Sequence, residues 1–150
     1  MRITQYTDYA LRVLIYLGLQ PDRLATIGEI AERYAISRSH LMKVVNQLVQ
    51  EGFVEGVRGK GGGIRLALPA GEIRVGDVVR KIEPDLILVE CFGPGNHCVI
   101  TPACDLKRAL YEALQAFLKV LDSYTLADFL GKQRGPLLSL LQLEDGPAAS

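Results

Sequence analysis

Cysteine is missing from the first ninety residues of this 150-residue chain and from everything after position 104. No apolar stretch reaches the length that spans a bilayer. The opening run from Met1 to Gln20 is broken by Asp8 and Arg12, and no small-residue cleavage site follows it, so a secretory signal is not expected. Histidine is nearly absent: only His40 and His97 occur, and neither forms part of a nucleophile-base pair, which argues against catalysis. Charge of one sign is also lacking, since the formal net charge is zero. These absences leave a soluble cytoplasmic protein with no membrane partner, in which free thiols stay reduced.

The neutral total conceals an uneven spread. Between Arg33 and Arg65 lie Arg33, Arg38, Lys43, Arg58, Lys60 and Arg65, opposed only by Glu51 and Glu55. Such a local cationic face supplies phosphate contacts whose strength falls with salt. Helix-forming patterns fill the same part of the chain. A first helix is expected from about Thr4 to Leu19, with Leu11, Leu14, Ile15 and Gly18 on one face and a break at Pro21-Asp22. Thr26-Ile27-Gly28-Glu29 has the form of a capping box and should open a short helix reaching about Tyr34. Ser37 then caps a third helix in which Leu41, Val44, Val45 and Leu48 recur at i, i+3, i+4 and i+7, closed by Gly52. Two short helices joined by a tight turn form a helix-turn-helix. Arg38, Ser39, His40, Lys43, Asn46 and Gln47 are its expected DNA-contacting residues, with Gln50 also off the apolar stripe, although an ordinary solvated face would have the same composition.

Strand-like segments Phe53–Val57 and Ile64–Leu68 flank Arg58-Gly59-Lys60-Gly61-Gly62-Gly63, a basic and flexible hairpin tip. A nucleotide-binding loop would need Ser or Thr after its lysine and a helix behind it, and neither is present. The hairpin is therefore expected to be a wing whose Arg58 and Lys60 follow the DNA backbone or a narrow minor groove.

Pro69 ends the wing. Ile73, Val75, Val78, Val79 and Ile82 mark a connecting helix that stops at Pro84, and Leu86–Val89 is a short apolar run, either strand or buried turn. Cys91, Cys98 and Cys104 follow in one Gly/Pro-bearing segment. Clustered thiols in odd number suit soft iron or zinc better than structural disulfides. Thr101-Pro102 should start a long helix to about Ser123, placing Cys104 in its first turn, where free amides and the dipole favour a thiolate. The apolar positions Leu106, Leu110, Ala113, Leu114, Phe117, Leu121 and Tyr124 exceed what one lobe easily covers, so homodimer packing is expected. A two-fold dimer would read operator half-sites about one DNA turn apart. The fold class is thus mainly α with a small β-hairpin wing. Residues 1–69 form a winged helix-turn-helix DNA-binding domain; residues 70–150 carry the connecting helix, the cysteine loop and a long dimerisation helix.

The chain resembles the winged-helix iron-sulfur repressors of the NsrR and IscR type over nearly its whole length. The likeness is carried by Thr7-Asp8-Tyr9, His40–Leu48, Gly52–Leu66, Arg74–Arg80, Ile100-Thr101-Pro102-Ala103-Cys104 and Tyr124–Asp128. It implies a homodimer with one iron-sulfur cluster per subunit, two-iron or four-iron, bound to double-stranded operator DNA until nitric oxide attacks the cluster. It also implies Cys91, Cys98 and Cys104 as ligands, completed by a carboxylate from the partner's first helix, matched here by Asp8. IscR-like members place histidine three residues after the last cysteine, where this chain has Lys107. The Cys91 to Cys98 interval departs from many relatives in its length, and it leaves the cluster type open.

Other readings of the same residues stand beside this one. Asp8 on helix geometry alone is a surface carboxylate paired with Arg12 at i+4, and the two states could alternate in a switch. Three cysteines leave one coordination position for a non-thiolate group, solvent or a small molecule. His97 beside Cys98 would make a Cys-Cys-Cys-His zinc set, although its spacing matches no common zinc ribbon. A related regulator sensing oxygen, iron supply or thiol oxidation would use the same cysteines, whereas an electron-transfer protein would need no basic hairpin.

Overall fold

Helix α1 (Gln5–Leu19) begins where Thr4 leaves the helical region, at φ −61° and ψ 153°, and the Thr4 hydroxyl accepts from the Thr7 amide at 3.3 Å. The computed structural model that shows this describes residues 1–144. Ala10, Val13, Leu14 and Leu19 are fully buried, and Tyr16 and Leu17 nearly so. That is a wider apolar surface than the single face expected, because α1 is covered from several sides: by helices α3 (Arg38–Gln50) and α4 (Val75–Ile82), by the second wing strand and by a 3-10 turn at Leu126–Phe129.

Helix α2 (Ile27–Tyr34) has the expected capping box: the Glu29 amide donates to Thr26 Oγ1 at 3.1 Å and the Thr26 amide to Glu29 Oε1 at 2.9 Å. Glu29 also accepts from the Tyr16 hydroxyl at 2.7 Å and from Arg23, which ties α2 to α1. Burial, reinforced by the Glu29 hydrogen bond, pushes the Tyr16 phenol up to about 12, so it stays a donor at any ordinary pH. Ala35 takes a left-handed conformation (φ 54°), and the Ile36 amide closes the turn on the Ala31 carbonyl at 2.9 Å. Ser37 then caps α3 (Arg38–Gln50), which buries Leu41, Val44, Val45 and Leu48 as its periodicity predicts.

Strands β1 (Val54–Val57) and β2 (Gly63–Leu66) pair antiparallel, Val54 opposite Leu66 and Val57 opposite Gly63. Ala25 adds a third edge: its amide donates to the Ile64 carbonyl at 3.0 Å, and the Ile64 amide donates back to the Ala25 carbonyl at 2.7 Å. The wing is thereby fixed to the segment between α1 and α2. Gly63 permits this approach, since a Cβ there would lie 2.5 Å from the Ala25 carbonyl oxygen.

Helix α4 (Val75–Ile82) buries Val75, Val78, Val79 and Ile82. The Leu86–Val89 run expected as strand or buried turn is neither; it is irregular chain with Leu86, Leu88 and Val89 half-buried. The long helix α5 spans Asp105–Asp122 and starts later than expected. Thr101–Ala103 is instead a 3-10 turn, and Cys104 is the N-cap of α5 rather than a member of its first turn. The cause is local. The Thr101 hydroxyl donates to the Cys98 carbonyl and accepts from Asn96, so it caps no helix, and Cys104 is extended at φ −95° and ψ 105°. A last helix, α6 (Arg134–Leu140), was not expected at all.

One apolar cluster joins α1, α2, α3 and the wing to Ile73, Val78, Ile82, Leu126, Leu138 and Leu141. A smaller one holds Val75 and Val79 of α4 against Leu114 and Leu118 of α5, with Leu86, Leu88 and Phe92 packed on it. Replacing Gly63 by Ala should lower stability by about 1–3 kcal/mol through the clash with the Ala25 carbonyl. Thermal melting checks this against Gly71→Ala, where a Cβ meets nothing within 4 Å.

Candidate nucleic-acid interface and cysteine loop

Packing the apolar stripe of α3 into the core leaves Arg38, Ser39, Lys43, Asn46 and Gln50 exposed on the opposite side. The other two expected contact residues of this helix have partners inside the molecule. His40 is half-buried, its ring 5.1 Å edge-on from that of Tyr9 and 6.1 Å from that of Tyr6. Gln47 donates its side-chain amide to the Lys81 carbonyl at 3.3 Å. The Tyr6 hydroxyl donates to the Lys43 carbonyl at 2.7 Å, so α1 grips α3 beside its exposed cation.

Arg58 and Lys60 are both exposed at the wing tip, where Gly59 (φ +99°) and Gly61 (φ +78°) allow the reversal. Arg65 on β2 is different: its Nε lies 2.6 Å from Glu55 Oε1 across the hairpin, so part of its charge is already answered. The surface able to meet phosphates is thus the α3 face with the wing tip.

The cysteine segment is a chain of short turns. Cys91 lies in a 3-10 turn, Glu90–Phe92, and Phe92 meets Tyr111 of α5 edge-on at 6.2 Å. Asn96 closes an Asx turn by accepting from the Cys98 amide at 3.0 Å. Cys104 Sγ accepts from the Lys107 amide at 3.4 Å, a sulfur N-cap. Cys91 and Cys104 line one cavity of about 520 Å³ together with Leu86, Phe92, Lys107, Arg108, Tyr111 and Leu114. Cys98 and His97 do not line it and are exposed. Two of the three thiols are thus brought together, and among the described residues no three His, Cys, Asp or Glu side chains converge within one chain.

Asp8 is not near these thiols in any such grouping. Its carboxylate takes two bonds from Arg12, Nη2 to Oδ2 at 2.7 Å and Nε to Oδ1 at 3.1 Å. That hydrogen bond, helped by the attraction of the two charges, holds the Arg12 guanidinium above its ordinary range. Arg12 also lies 5.4 Å over the Tyr9 ring and 6.0 Å over that of Tyr34. The contacts of Tyr6 and Tyr9 with α3, of Gln47 with Lys81 and of Arg12 with Tyr34 leave no local pattern in the sequence, because the partners are separated by tens of residues.

Comparison with known proteins agrees with this geometry. Residues 3–132 match the Rrf2 family, described as iron-dependent transcriptional regulators. The HTH-type transcriptional regulator NsrR of Bacillus subtilis (strain 168) is 51% identical over 147 residues, covering 97% of this chain and all of that protein. Among solved structures, CymR (YrzC), the global cysteine regulator of B. subtilis, superposes with a TM-score of 0.72 at 28% identity, covering 86% of this chain and 95% of its own. T. potens IscR gives 0.71 at 27% identity, over 87% and 86%. These relatives are transcriptional regulators rather than enzymes, and no helix among the described residues is long and apolar enough to cross a membrane. With a helix-turn-helix, a basic wing and this match over most of its length, the chain belongs to the Rrf2 family of DNA-binding transcriptional regulators.

Proposed function

We propose that the chain is a homodimeric repressor in which Cys91, Cys98 and Cys104 hold an iron-sulfur cluster, and that attack on the cluster by nitric oxide releases operator DNA. The observation that carries this reading is the convergence of Cys91 and Cys104 on one cavity at the start of α5, beside Lys107 and Arg108. The donor set fits: thiolates are the soft ligands such a cluster takes, and two cations with the free amides of a helix start offset its negative charge. When bound, the cluster supplies irons that react with nitric oxide. The chain's own residues do the rest: Cys91 and Cys104 anchor the two ends of the loop, Cys98 brings the exposed middle inward, and Lys107 and Arg108 balance the charge. Asp8 of the partner subunit is the proposed fourth ligand, and the Asp8–Arg12 pair within one chain is the alternative state of that carboxylate.

The homodimer reading is supported by the unburied side of α5. Leu106, Leu110, Ala113, Phe117 and Val120 recur at alternating four- and three-residue steps, a heptad seam. Leu106 is 63% exposed and Val120 57%, while Leu114 and Leu118 on the adjoining side are buried against α4. A second copy of the same seam is the self-complementary partner an isologous contact needs. In this assignment residues 1–69 read DNA and residues 70–150 sense and dimerise, although both share the core around α1. A second reading, thiol oxidation, is favoured by the shared cavity of Cys91 and Cys104 and by the likeness, at a TM-score of 0.67 and 29% identity, to an oxidized form of Staphylococcus aureus CymR.

Anaerobic purification followed by visible absorption, iron and sulfide analysis and nitric oxide titration tests the proposal. A coloured protein with stoichiometric iron and sulfide that bleaches under nitric oxide is expected; a colourless one with stoichiometric zinc and no sulfide contradicts it. Replacing any of Cys91, Cys98 or Cys104 by Ala should abolish both the visible absorption and tight operator binding. Asp8→Ala keeps three thiolates, so its expected effect is an altered rate of bleaching rather than loss of colour.

Arg58→Ala and Lys60→Ala should each weaken operator binding and reduce the slope of log affinity against log salt by about two, one phosphate contact per subunit of the proposed dimer. Fluorescence anisotropy over a salt series reads both. Phe117→Glu and Val120→Glu should yield folded monomers by sedimentation, since neither side chain is buried in the chain's own core. Leu114→Glu, by contrast, should impair folding itself.

A further inference from the structure

We propose that Glu83 is a positioning residue that transmits the state of the cysteine loop to the recognition helix α3. The inference rests on the sensing reading above and names the contact through which it would act. Glu83 caps the C-terminus of α4 and is followed by Pro84, so it stands at the point where the helix hands over to the cysteine loop. Its carboxylate reaches across the molecule to the first turn of α1. It accepts from the Thr4 amide at 3.1 Å, from the Thr4 hydroxyl at 3.0 Å and from the Thr7 hydroxyl in a short contact. Thr7 is fully buried. Its hydroxyl therefore depends on a protein acceptor, because no water competes there.

Helix capping alone does not account for this arrangement, since Thr4 already caps α1 locally. The carboxylate adds a charged acceptor at the positive end of α1, supplied by a residue far along the chain. The same turn of α4 also touches α3, because the Lys81 carbonyl accepts from Gln47. The first turns of α1 touch α3 in their own right, through Tyr6 on the Lys43 carbonyl and Tyr9 against the His40 ring. Alongside its packing on α2 and β1, two sets of contacts into the DNA-facing helix thus converge on the turn that carries Lys81 and Glu83.

Pro84 makes that turn stiff, because its ring fixes one backbone dihedral and restrains Glu83 to extended conformations. Beyond it, Leu86 and Leu88 pack on the α4–α5 cluster and Cys91 follows at once. Exchange between bound and released cysteines shifts the loop, moves Leu86 and Pro84, and changes the hold of the Glu83 carboxylate on Thr4 and Thr7. The first turn of α1 moves with it, and so does the grip of Tyr6 and Tyr9 on α3. A two-state element of this kind is what coupling between separate sites requires.

The test uses the full-length protein, prepared anaerobically with its cluster and again after cluster removal. Hydrogen exchange in the wild type should show the Thr4 amide, which donates directly to Glu83, and the amides of residues 7–8 and 43–47 changing protection together on cluster removal. Glu83→Gln leaves one acceptor oxygen and turns an amide nitrogen toward the threonine hydroxyls. It should keep its visible absorption while the operator-affinity ratio of holo to apo protein, about 5- to 150-fold for a coupled pair of sites, falls to within about threefold of unity. Thr4→Val, a milder change, should reduce the ratio in part if Glu83→Gln proves too unstable to purify, and Glu72→Gln on the exposed turn after the wing should leave it unchanged. Wild-type protein that discriminates between holo and apo, with Glu83→Gln and Thr4→Val discriminating equally well and the exchange at residues 4–8 unaffected, would overturn the role of Glu83 while leaving the sensing reading intact. Wild-type protein that binds operator equally in both states would overturn both.

Discussion

Burial of α1 is the constraint on which the other elements depend. The helix packs against α3, α4, the wing and the C-terminal turn, and its buried side chains run from Ala10 to Leu19 with few gaps. At about 25 cal/mol per Å² of apolar surface removed from water, such a helix contributes more to the core than any exposed pair can. The same packing means that α3 has no independent seat. Its orientation toward DNA is set by packing on α2 and β1 as well as on α1, with Tyr6, Tyr9 and the Gln47–Lys81 contact adding holds from α1 and the last turn of α4. A regulator could exploit that arrangement, because the end of α4 is bonded both to the start of α1 and to the DNA-facing helix.

Charge is distributed by the same logic. Not all six cations between Arg33 and Arg65 are available to DNA, since Arg65 is paired with Glu55 and Arg33 is engaged with Gln142 at 3.0 Å. What remains free to meet phosphates is concentrated on Arg38, Lys43, Arg58 and Lys60, all exposed and all on α3 or the wing tip. In the proposed dimer a neutral protein would present these four cations twice, once per subunit. The exposed heptad seam of α5 is consistent with that arrangement, because a two-fold pair would present both sets at once.

The DNA-binding half was legible because its signals are local. The Thr26–Glu29 box, the Ser37 cap and the spacing of Leu41, Val44, Val45 and Leu48 each involve residues within two turns of one another. The cysteine loop was less so. Thr101-Pro102 has the form of a helix start, but Asn96 and the Cys98 carbonyl compete for the Thr101 hydroxyl, and α5 waits for Cys104. Helix α6 has weak propensity, with Gly135 and Pro136 in its first turn, and stands because Leu137, Leu138 and Leu141 dock on the α1 core. A capping box at Thr125 and Asp128, with the amide bond at 2.8 Å, was the readable signal that the chain regains order after α5. Long-range contacts such as Glu83 with Thr4 leave no periodic trace and became visible only in three dimensions.

In the proposed mechanism the state of the three thiols sets the grip of α3 and the wing on DNA. Its most direct measurement is operator affinity for a single anaerobic preparation, before and after nitric oxide treatment, at fixed ionic strength and equal dimer content. Affinity that falls at least about tenfold with treatment, within the usual range of coupling between sites, is the predicted result. Equal affinity in the two states, with the cluster demonstrably lost, would contradict it.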